Sequence, residues 1–380
     1  MSGPGAECAK MGPMTSQEPR PTTMRAALLL GNGGPEMLVV RDDVAVPEPR
    51  AGEVLIRVAA CGVNNTDINT RVGWYSRSVT AGTSGDGFAE SQTDDATWGK
   101  GGLDFPRIQG ADICGTVVET GDDVDADLVG RRVLVDPWIR DQHDPADRTL
   151  AGYLGSEHDG GFAEYCAVPA GNVHPVASRL SDVELATFAC SWSTAEHMLQ
   201  RVGLTAGRSI AVPGASGGVG SALVQLAKGR GARVVAIAGS TKLDEVRALG
   251  PDEVVARETP DLVRAVTAAN GGPLDVVADI VGGPDFVEWL DALVRGGRYV
   301  TSGAIAGPIV ELDLRTLYLN DLELYGATVY GPQVFADLVG HIERGEVRPV
   351  VGGTYPLERI DEAQAAFVEK RHTGNLVITI

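Results

Sequence analysis

One glycine-rich stretch decides the fold, Ile210-Ala211-Val212-Pro213-Gly214-Ala215-Ser216-Gly217-Gly218-Val219-Gly220. Its apolar first residues predict a strand, and residues 221–228 predict a helix immediately after the glycines. Glycine lets the backbone come close to a phosphate, and the amino end of a helix offers unpaired N–H groups and a positive dipole end. The strand–turn–helix context therefore predicts a pyrophosphate-binding turn at residues 215–220, with an ordinary tight turn as the alternative.

The segments after this turn repeat the alternation of strand and helix. Strands are predicted at residues 233–237, 275–279, 297–301 and 322–329, and helix-length segments separate them. Repeated strand–helix units form a parallel sheet with helices on both faces. We therefore predict an α/β domain with a doubly wound parallel sheet of the Rossmann type, which binds the cofactor, over residues 173–330.

The rest of the chain has a different rhythm. Between residues 24 and 172, short β segments separated by Gly, Pro and Asp predict a small barrel-like domain. Residues 1–23 are rich in Gly, Pro, Met, Ser and Thr without periodicity, and they are predicted to be a disordered extension. The segment 331–380, with a predicted helix at 337–344 and a strand at 375–380, does not extend the alternation. We expect it to return to the first domain.

The residues after the second predicted strand bear on the choice of cofactor. An NAD site usually has an acidic residue about 20 positions after the turn, which binds the 2′-hydroxyl of the adenosine ribose. This chain has Ala238-Gly239-Ser240-Thr241-Lys242 there. Lys242 is one of only five lysines, and with the Ser240 hydroxyl it suits a ribose 2′-phosphate. The sequence therefore favours NADPH/NADP+ as the cofactor, unless Lys242 is simply solvated at the start of the next helix.

Composition limits the class of partner. Acidic residues exceed basic ones by 51 to 32, which gives a formal net charge of −19. Such a surface repels nucleic acid and anionic lipid, so we expect a small-molecule partner, with no nucleic acid and no membrane. No apolar run approaches the roughly 20 residues of a transmembrane helix, and we expect no signal peptide. The five cysteines lie far apart without a C-x-x-C pair, which favours a reduced, cytoplasmic protein and excludes a four-cysteine structural zinc site.

Several short motifs support a resemblance to a known family. In chain order they are Cys61-Gly62-Val63-Asn64-Asn65-Thr66-Asp67, Gly110-Ala111-Asp112, Gly160-Gly161-Phe162-Ala163-Glu164-Tyr165, the glycine turn and Gly374-Asn375-Leu376-Val377. From Met24 onward the chain resembles the medium-chain dehydrogenase/reductase superfamily, especially its zinc-independent quinone oxidoreductase-like branch. The resemblance implies a GroES-like β-barrel catalytic domain, built from both chain ends, and an active site in the cleft beside the Rossmann domain. It also implies a homodimer or homotetramer, often joined through the edge strand at 322–329.

The positions that match zinc ligands argue against a catalytic metal. Zinc-dependent members of the superfamily hold the metal with three protein ligands. The matching residues here are Asn64, Ala111 and Cys190, of which only Cys190 is a good zinc ligand. We therefore predict no metal site, although Asp67 and Asp112 could complete an improvised one with Cys190. Without zinc, Cys190 is interpreted as a small residue at the substrate pocket.

A reaction without zinc needs hydrogen-bond donors for the oxygen that becomes negative when the substrate accepts hydride. An activated C=C bond in an enone, enal or quinone suits this requirement, because the charge spreads onto that oxygen. The resemblance places Asn64 beside the nicotinamide as the first donor, unless its side chain only caps the local turn. Tyr75 resembles the active-site tyrosine of quinone reductases and would bind the oxygen or deliver a proton, unless it only lines the pocket. Asp67 is the third catalytic candidate, as part of a polar run that could relay a proton from a bound alcohol.

The resemblance also assigns residues around the nicotinamide. Thr194 matches a threonine that packs on the nicotinamide ring. Trp192, beside it, is assigned to a wall of the substrate pocket, although a tryptophan on a helix is more often a core residue. The loop Thr301-Ser302-Gly303-Ala304 lies where family members hold the nicotinamide carboxamide. Asn375 departs from the family pattern, in which a lysine is common at this position.

An insertion at residues 76–104 separates the Tyr75 segment from the Gly110 turn. Long loops in compact domains are commonly lids or mobile surface loops. Because the insertion follows Tyr75, we hypothesise a lid in which Phe88 and Trp98 fold over the substrate. A mobile surface loop is the alternative.

These observations predict an NADPH-dependent, zinc-independent oxidoreductase that transfers hydride to an activated C=C bond of an enone, enal or quinone. The first alternative is an NADP(H)-dependent alcohol dehydrogenase or ketone reductase, which Cys190 and the polar run at 64–67 keep open. The second is a non-catalytic nucleotide-binding protein on the same fold, because an intact cofactor turn does not prove turnover.

Overall fold

A computed structural model describes residues 20–83, 97, 102–141 and 143–380 of the chain. Residues 1–19 of the predicted N-terminal extension lie outside the described residues. Phe88 and Trp98, on which the lid hypothesis rests, lie outside them as well. The insertion is therefore described at residues 76–83, 97 and 102–104.

The first domain is a barrel-like β domain with strands from both parts of the chain. Its strands are β1 (Thr23–Leu29), β2 (Leu38–Ala45), β3 (Glu53–Val63), β4 (Arg107–Ile108), β5 (Asp112–Thr120), β6 (Arg132–Val135), β7 (Trp138–Ile139), β8 (Gly152–Tyr153), β9 (Tyr165–Pro169), β10 (Val173–Pro175), β17 (Val351–Pro356) and β18 (Asn375–Thr379). The largest sheet has the order β10-β6-β5-β3-β18-β17, and β9 also pairs with β3. The long strand β3 is central because it pairs with three others and buries Val54, Leu55 and Ile56 completely.

Three helices accompany this domain, α1 (Asn65–Val72), α2 (Asp182–Leu185) and α10 (Ile360–Glu369). Helix α1 was not predicted from the sequence. Asn64 precedes it in an extended conformation, and Gly73 ends it in a left-handed conformation at φ 70°. An Asn before a helix, an acidic residue in its first turn and a glycine after its end are common boundary signals. Asp67 and Gly73 could therefore have identified this helix, which carries the site residues at its start.

The second domain is a parallel sheet covered by helices. Its strands are β11 (Ser209–Pro213), β12 (Arg233–Ala238), β13 (Glu253–Ala256), β14 (Leu274–Asp279), β15 (Leu293–Thr301) and β16 (Glu323–Gly326). Its helices are α3 (Ala189–Arg201), α4 (Gly218–Gly229), α5 (Leu243–Arg247), α6 (Leu262–Asn270), α7 (Phe286–Asp291), α8 (Leu314–Leu319) and α9 (Pro332–Glu343). The strand order β13-β12-β11-β14-β15-β16 reverses at β11, and open sheets of this kind bind ligands at the reversal. The predicted combination of a Rossmann sheet with a GroES-like barrel is confirmed.

Two domain boundaries differ from those expected from the sequence. Strand β10 pairs with β6, so the barrel extends past residue 172 to Pro175. Helix α9 packs on α3 and places Phe335 and Leu338 in the core shared with the second domain. Only β17, α10 and β18 return to the barrel, because an amphipathic helix such as α9 fits either domain and its sequence does not indicate which one. In the described part of the chain, none of the helices is both long and apolar enough to cross a lipid bilayer.

Candidate active site

A cleft between the two domains brings many of the predicted site residues together. The empty space in this cleft is about 830 Å³, and part of it is continuous with bulk solvent. The barrel side contributes the start of α1 and the segment after it, and the Rossmann side contributes α3, α4 and the loops after β14 and β15. The lining residues are Asn64, Asn65, Thr66, Asn69, Trp74, Tyr75, Thr83, Trp138, Tyr153, Cys190, Thr194, Val219, Ile280, Ser302, Gly303, Ala304, Ile305 and Thr328.

The amide of Asn64 is held in one orientation by buried partners. Its Nδ2 donates to Asp112 at 2.9 Å, and its Oδ1 accepts from the Ser191 hydroxyl at 3.3 Å. Asn375 Nδ2 in turn donates to Ser191 Oγ at 2.9 Å, which ties this network to the closing strand. An amide nitrogen carries two hydrogens, and Asp112 takes one of them. The second hydrogen of Asn64 is therefore available to a ligand in the cleft, as the donor role predicted for this residue requires.

Asp112 is a fully buried carboxylate behind Asn64. Burial raises its pKa to about 6, and hydrogen bonds from Asn64 and from the Cys190 backbone N–H limit that rise. At neutral pH the carboxylate is therefore mostly ionised, and it acts as a hydrogen-bond acceptor. This state of Asp112 keeps the nitrogen of the Asn64 amide, and not its oxygen, on the Asp112 side.

Asp67, predicted as a member of a proton relay, does not line the cleft. Its carboxylate accepts hydrogen bonds from the backbone N–H of Asn64 at 2.8 Å and of Gly110 at 3.2 Å. Burial raises its pKa to about 7, and the backbone hydrogen bonds partly oppose this. Asp67 thus joins the start of α1 to the Gly110 turn. Its position supports the geometry of the site and gives it no contact with a ligand.

Tyr75 lies in the cleft as predicted. Its hydroxyl is hydrogen-bonded to the side chains of Thr66 and Asn69, and its ring packs edge-on against Trp74 at 5.6 Å. Burial raises the pKa of Tyr75 above its ordinary value. The phenol therefore keeps its proton at neutral pH and can act as a hydrogen-bond donor or proton source.

Helix α3 separates the two residues assigned to the substrate pocket. Cys190 and Thr194 are four positions apart, so they lie on one helix face, and both line the cleft. Burial raises the pKa of the Cys190 thiol, which is hydrogen-bonded to Tyr153 and stays neutral. Trp192 is two positions from each and projects from the other side of the helix. It is 1% exposed and packs on Phe188 at 4.9 Å, so the expectation that it walls the pocket is corrected to a core role.

The glycine turn has the geometry that a pyrophosphate needs. Gly217 caps α4, and a Cβ built on it would have its nearest neighbour at 3.7 Å, so the space beside this residue is open. A Cβ on Gly220 would lie 2.1 Å from the Gly214 carbonyl oxygen, so only glycine fits there. Gly374 donates its backbone N–H to the Ser216 oxygen at 2.8 Å, which brings the closing segment beside the turn. Val219 then leads from the turn into the cleft.

Most of the residues predicted for the nicotinamide end of the cofactor lie together in the cleft. Ser302, Gly303 and Ala304 line the cleft opposite Thr194. Thr301 does not line it, because its hydroxyl donates to the Gly303 oxygen at 2.9 Å and shapes the loop. The turn, the loop and Thr194 together fit a dinucleotide that runs from the turn into the cleft.

The region around Ser240, where the adenosine end of the cofactor is predicted, contains an acidic residue that the sequence after β12 does not indicate. Glu258 follows β13, the strand beside β12, and its carboxylate accepts the Ser240 backbone N–H at 3.0 Å. Arg257 pairs with Glu258 at 3.1 Å. An acid and a cation therefore lie beside Ser240, although neither occurs near it in the sequence. Lys242 Nζ donates to the backbone oxygens of Lys370 and His372 at 2.6 and 2.5 Å, so it is not the freely solvated residue of the alternative interpretation.

Lys370 is a site residue that sequence reasoning missed. Its Nζ donates to Asn65 Oδ1 at 2.6 Å and lies 3.7 Å from the centre of the Phe367 ring. Burial, together with the smaller effect of the Lys242 charge, lowers the pKa of Lys370 to about 7. Among the described residues, neither Lys242 nor Lys370 has a carboxylate partner. Lys370 thus lies beside the cleft residue Asn65, and Lys242 reaches the backbone oxygen of Lys370. The scarcity of lysine in this chain is the one sequence feature that could have drawn attention to Lys370.

The residues at the expected zinc position do not fit a metal. Asn64 is engaged by Asp112 and Ser191, and Ala111 has no donor atom. Within the described ranges, no three His, Cys, Asp or Glu side chains are grouped so that they could hold a metal ion. A catalytic zinc site generally needs three protein ligands. The donor set therefore does not suit the metal of zinc-dependent alcohol dehydrogenases.

Comparison with known proteins identifies the family. The alcohol dehydrogenase GroES-like domain matches residues 50–178, and the zinc-binding dehydrogenase domain matches residues 218–344. The chain belongs to the medium-chain dehydrogenase/reductase superfamily. It is similar to mouse quinone oxidoreductase, with 28% identity over 94% of this chain and 98% of the relative. It is equally similar, at 28%, to acryloyl-coenzyme A reductase of Metallosphaera sedula over 94% of this chain and all of that protein.

A solved structure of this superfamily is more similar in sequence. It comes from Sinorhizobium meliloti 1021 and is provisionally named an alcohol dehydrogenase. It is 48% identical to this chain, covers 95% of it and 97% of its own length, and has a TM-score of 0.85. The predicted superfamily is thus confirmed, and the chain is an oxidoreductase of that superfamily.

Proposed function

We propose that this protein is an NADPH-dependent, zinc-independent reductase of activated C=C bonds in enones, enals or quinones. The observation that carries the proposal is that two protonated donors, the Asn64 amide and the Tyr75 hydroxyl, line the cleft that Thr194 and Val219 also line. The similarity to a quinone oxidoreductase and an acryloyl-coenzyme A reductase supports it, because both names denote conjugated acceptors.

In this mechanism, Thr194 and the Ser302–Ala304 loop would hold the nicotinamide of NADPH, which would supply the hydride. Asn64 and Tyr75 donate hydrogen bonds to the carbonyl oxygen of the acceptor, where negative charge develops. Fixed, buried donors stabilise such charge without having to reorient. Tyr75 holds the proton that completes the reduction, and Thr66 and Asn69 fix the direction of its hydroxyl. Asp112 holds the Asn64 amide in the orientation that donates.

The preference for NADPH rests on positive groups beside Ser240. Lys242, Arg257 and the Ser240 hydroxyl offer the cation and hydroxyl contacts that a 2′-phosphate needs. Glu258 opposes this choice, because a carboxylate at this position suits the free 2′-hydroxyl of NADH. Arg257 and the Ser240 N–H each hydrogen-bond one oxygen of Glu258, which offsets its negative charge, and among the described residues Lys242 is bonded only to backbone oxygens.

An NADP(H)-dependent alcohol dehydrogenase or ketone reductase is the second candidate. The observation that favours it is the 48% identity to the protein provisionally named an alcohol dehydrogenase. Product analysis with an enone separates the two candidates. A saturated ketone indicates C=C reduction, and an allylic alcohol indicates C=O reduction.

The first prediction concerns the reaction itself. Protein treated with chelator is expected to oxidise NADPH with quinones, enones or enals and to leave simple ketones unreduced, because its donors need no metal. With NADPH, kcat/KM is expected to exceed the value with NADH by roughly tenfold or more, the effect of one charge-assisted hydrogen bond. The measurement is NADPH oxidation over a panel of acceptors, with the metal content of untreated protein as control. Stoichiometric zinc together with activity on simple carbonyls would contradict the proposal.

The second prediction is that cofactor binding takes up a proton at Lys370. With a pKa of about 7 in the free protein, Lys370 is mostly neutral at pH 8, and a nearby phosphate favours its charged form. Proton uptake at pH 8 is therefore expected, and affinity for NADPH should fall as the pH rises above about 7. Calorimetry in buffers of different ionisation enthalpy measures the number of protons.

The variant Lys370→Met should abolish this uptake. Lys228→Met is the matched control, because Lys228 pairs with Asp252 at 2.9 Å and is not a cleft residue. The unfolded chain binds more protons than the folded one between pH 7 and the ordinary lysine pKa of about 10.4. The contribution of Lys370 to the free energy of unfolding of the cofactor-free protein therefore increases as pH rises through that window. In Lys370→Met this contribution to the pH dependence should be absent. Equal proton uptake in wild type and Lys370→Met would exclude the assignment.

We also propose that the protein forms a homodimer through the edge of its Rossmann sheet. In the described part of that sheet, β16 has a neighbour on one side only, and Leu324 on it is exposed. Leu314, Tyr318 and Leu319 of the nearby α8 are also exposed. An unpaired strand beside a group of exposed apolar side chains is a typical site for association.

The third prediction tests this interface. The double variant Tyr318→Glu/Leu319→Glu is expected to be monomeric, because an apolar interface does not accommodate four buried charges related by two-fold symmetry. Light scattering on a size-exclusion column should give 39.7 kDa for the variant and about twice this mass for the wild type. Leu150→Glu is the control, since Leu150 is exposed on the barrel domain. A wild type that is itself monomeric would rule out the dimer.

A further inference from the structure

Two residues that line the cleft each carry a polar side-chain atom that is almost inaccessible to solvent and lacks a protein partner. These atoms are Oδ1 of Asn69 and Oγ1 of Thr83, and no hydrogen bond satisfies either atom among the described residues. Asn69 is 6% exposed and Thr83 is 3% exposed, and both line the cleft. Buried polar atoms are nearly always hydrogen-bonded, so an unsatisfied pair in one cleft indicates a bound ligand or water.

The orientation of Asn69 is set by Tyr75. The Asn69 side chain donates a hydrogen bond to the Tyr75 hydroxyl. An amide donates through its nitrogen only, so this bond leaves the oxygen of Asn69 as an acceptor. The acceptor therefore lies next to the proposed proton donor of the reaction.

Thr83 is held in the cleft by backbone contacts across the two domains. Its backbone N–H donates to the Ile305 oxygen at 2.9 Å. Gly82 lies so close to the same oxygen that a Cβ would be 2.4 Å away, and Trp74 Nε1 donates to the Ala81 oxygen at 2.9 Å. Residues 81–83 thus connect the barrel to the loop after β15. The first part of the insertion is built into the site, and the Thr83 hydroxyl has a fixed position there.

We propose that Asn69 and Thr83 form a subsite for a hydroxyl group of the substrate, so that the preferred acceptors are hydroxylated enones, enals or quinones. A hydroxyl group can donate to Asn69 Oδ1 and accept from Thr83 Oγ1, which satisfies both atoms at once. Among the described residues that line the cleft, none carries a charge, which favours a neutral group over a carboxylate or phosphate. This inference rests on the proposed function and specifies its substrate class.

The test uses one pair of acceptors that differ by a hydroxyl, 2-nonenal and 4-hydroxy-2-nonenal. The wild type is expected to have a roughly tenfold higher kcat/KM for the hydroxylated enal, because an analogue without the group leaves buried polar atoms unpaired. Thr83→Val, which keeps the side-chain shape, should remove this preference and leave kcat/KM for 2-nonenal unchanged. Thr83→Ser should retain the preference.

The control is Thr328→Val, which changes an exposed threonine at the same cleft and should leave both values unchanged. Equal losses on both enals in Thr83→Val, or no preference in the wild type, would overturn the subsite and indicate that water satisfies the two atoms. If the wild type reduces neither enal, the proposed function fails. In that case calorimetry of the same two compounds with NADP+-loaded protein tests the subsite alone, and equal affinities would overturn it.

Discussion

The variant Gly217→Asp is expected to bind NADPH roughly 100-fold more weakly than the wild type, a loss of about 2.8 kcal/mol, without losing its fold. Gly217 has φ −81° and ψ 175°, which any residue adopts, and its open surroundings leave room for a side chain. Aspartate is a favoured residue at the start of a helix, so the free protein should unfold at the same temperature or slightly higher.

The same carboxylate would occupy the place of the cofactor pyrophosphate. It would accept hydrogen bonds from the first N–H groups of α4 and add a negative charge where the ligand brings two more. Calorimetry with NADPH measures the affinity, and thermal unfolding without cofactor measures the fold. A protein that keeps both its stability and its affinity for NADPH would show that the turn is not the phosphate site.

Gly229→Asp is the matched control for this experiment. It adds the same charge to the opposite end of the same helix, and no atom lies within 4 Å of a Cβ built there. An acid near the carboxyl end of a helix is mildly destabilising, by about 0.3–1 kcal/mol. Its affinity for NADPH should be unchanged, which separates a local block of the turn from a general effect of charge.

Features of the site that depend on one continuous stretch of chain were predictable. The glycine turn needs a strand, the glycines and a helix in immediate succession, and the sequence at 210–228 contains all three. The same holds for Cys190 and Thr194, whose spacing of four places them on one helix face. Trp192 was assigned incorrectly because its proximity in sequence was given more weight than the helical period, which directs it into the core.

Features that depend on neighbouring strands were not predictable. Glu258 and Arg257 reach Ser240 because β13 pairs with β12, and a search limited to the residues after β12 could not find them. Lys370 meets Lys242 because the closing segment returns across the domain boundary. The charge around Ser240, on which the proposed cofactor preference depends, is therefore set by two strand ends and a distant loop.

The variant Asn64→Ala is expected to lower kcat by roughly 100- to 1,000-fold, the usual effect of removing one donor to a developing negative oxygen. The Kd for NADPH should stay the same, because the role proposed for Asn64 is toward the acceptor and not toward the phosphates. Loss of the amide also removes a hydrogen bond to Asp112, so the pKa of that carboxyl should rise further above about 6. Single-turnover hydride transfer with a quinone acceptor is the measurement.

Asp112→Asn distinguishes a catalytic donor from a structural role of Asn64. The oxygen of the introduced amide can accept from the Cys190 N–H, so the nitrogen of that amide must face Asn64. The Asn64 side chain then has to rotate so that its own oxygen faces this nitrogen. This rotation would replace a donor by an acceptor in the cleft, and it would turn the Asn64 nitrogen toward Ser191 Oγ, whose hydroxyl hydrogen then loses its acceptor. We therefore expect a fall in kcat comparable to that of Asn64→Ala, with a loss of thermal stability no larger than one buried hydrogen bond, about 1–3 kcal/mol. Full activity in Asp112→Asn would mean that the Asn64 amide does not stabilise the transition state.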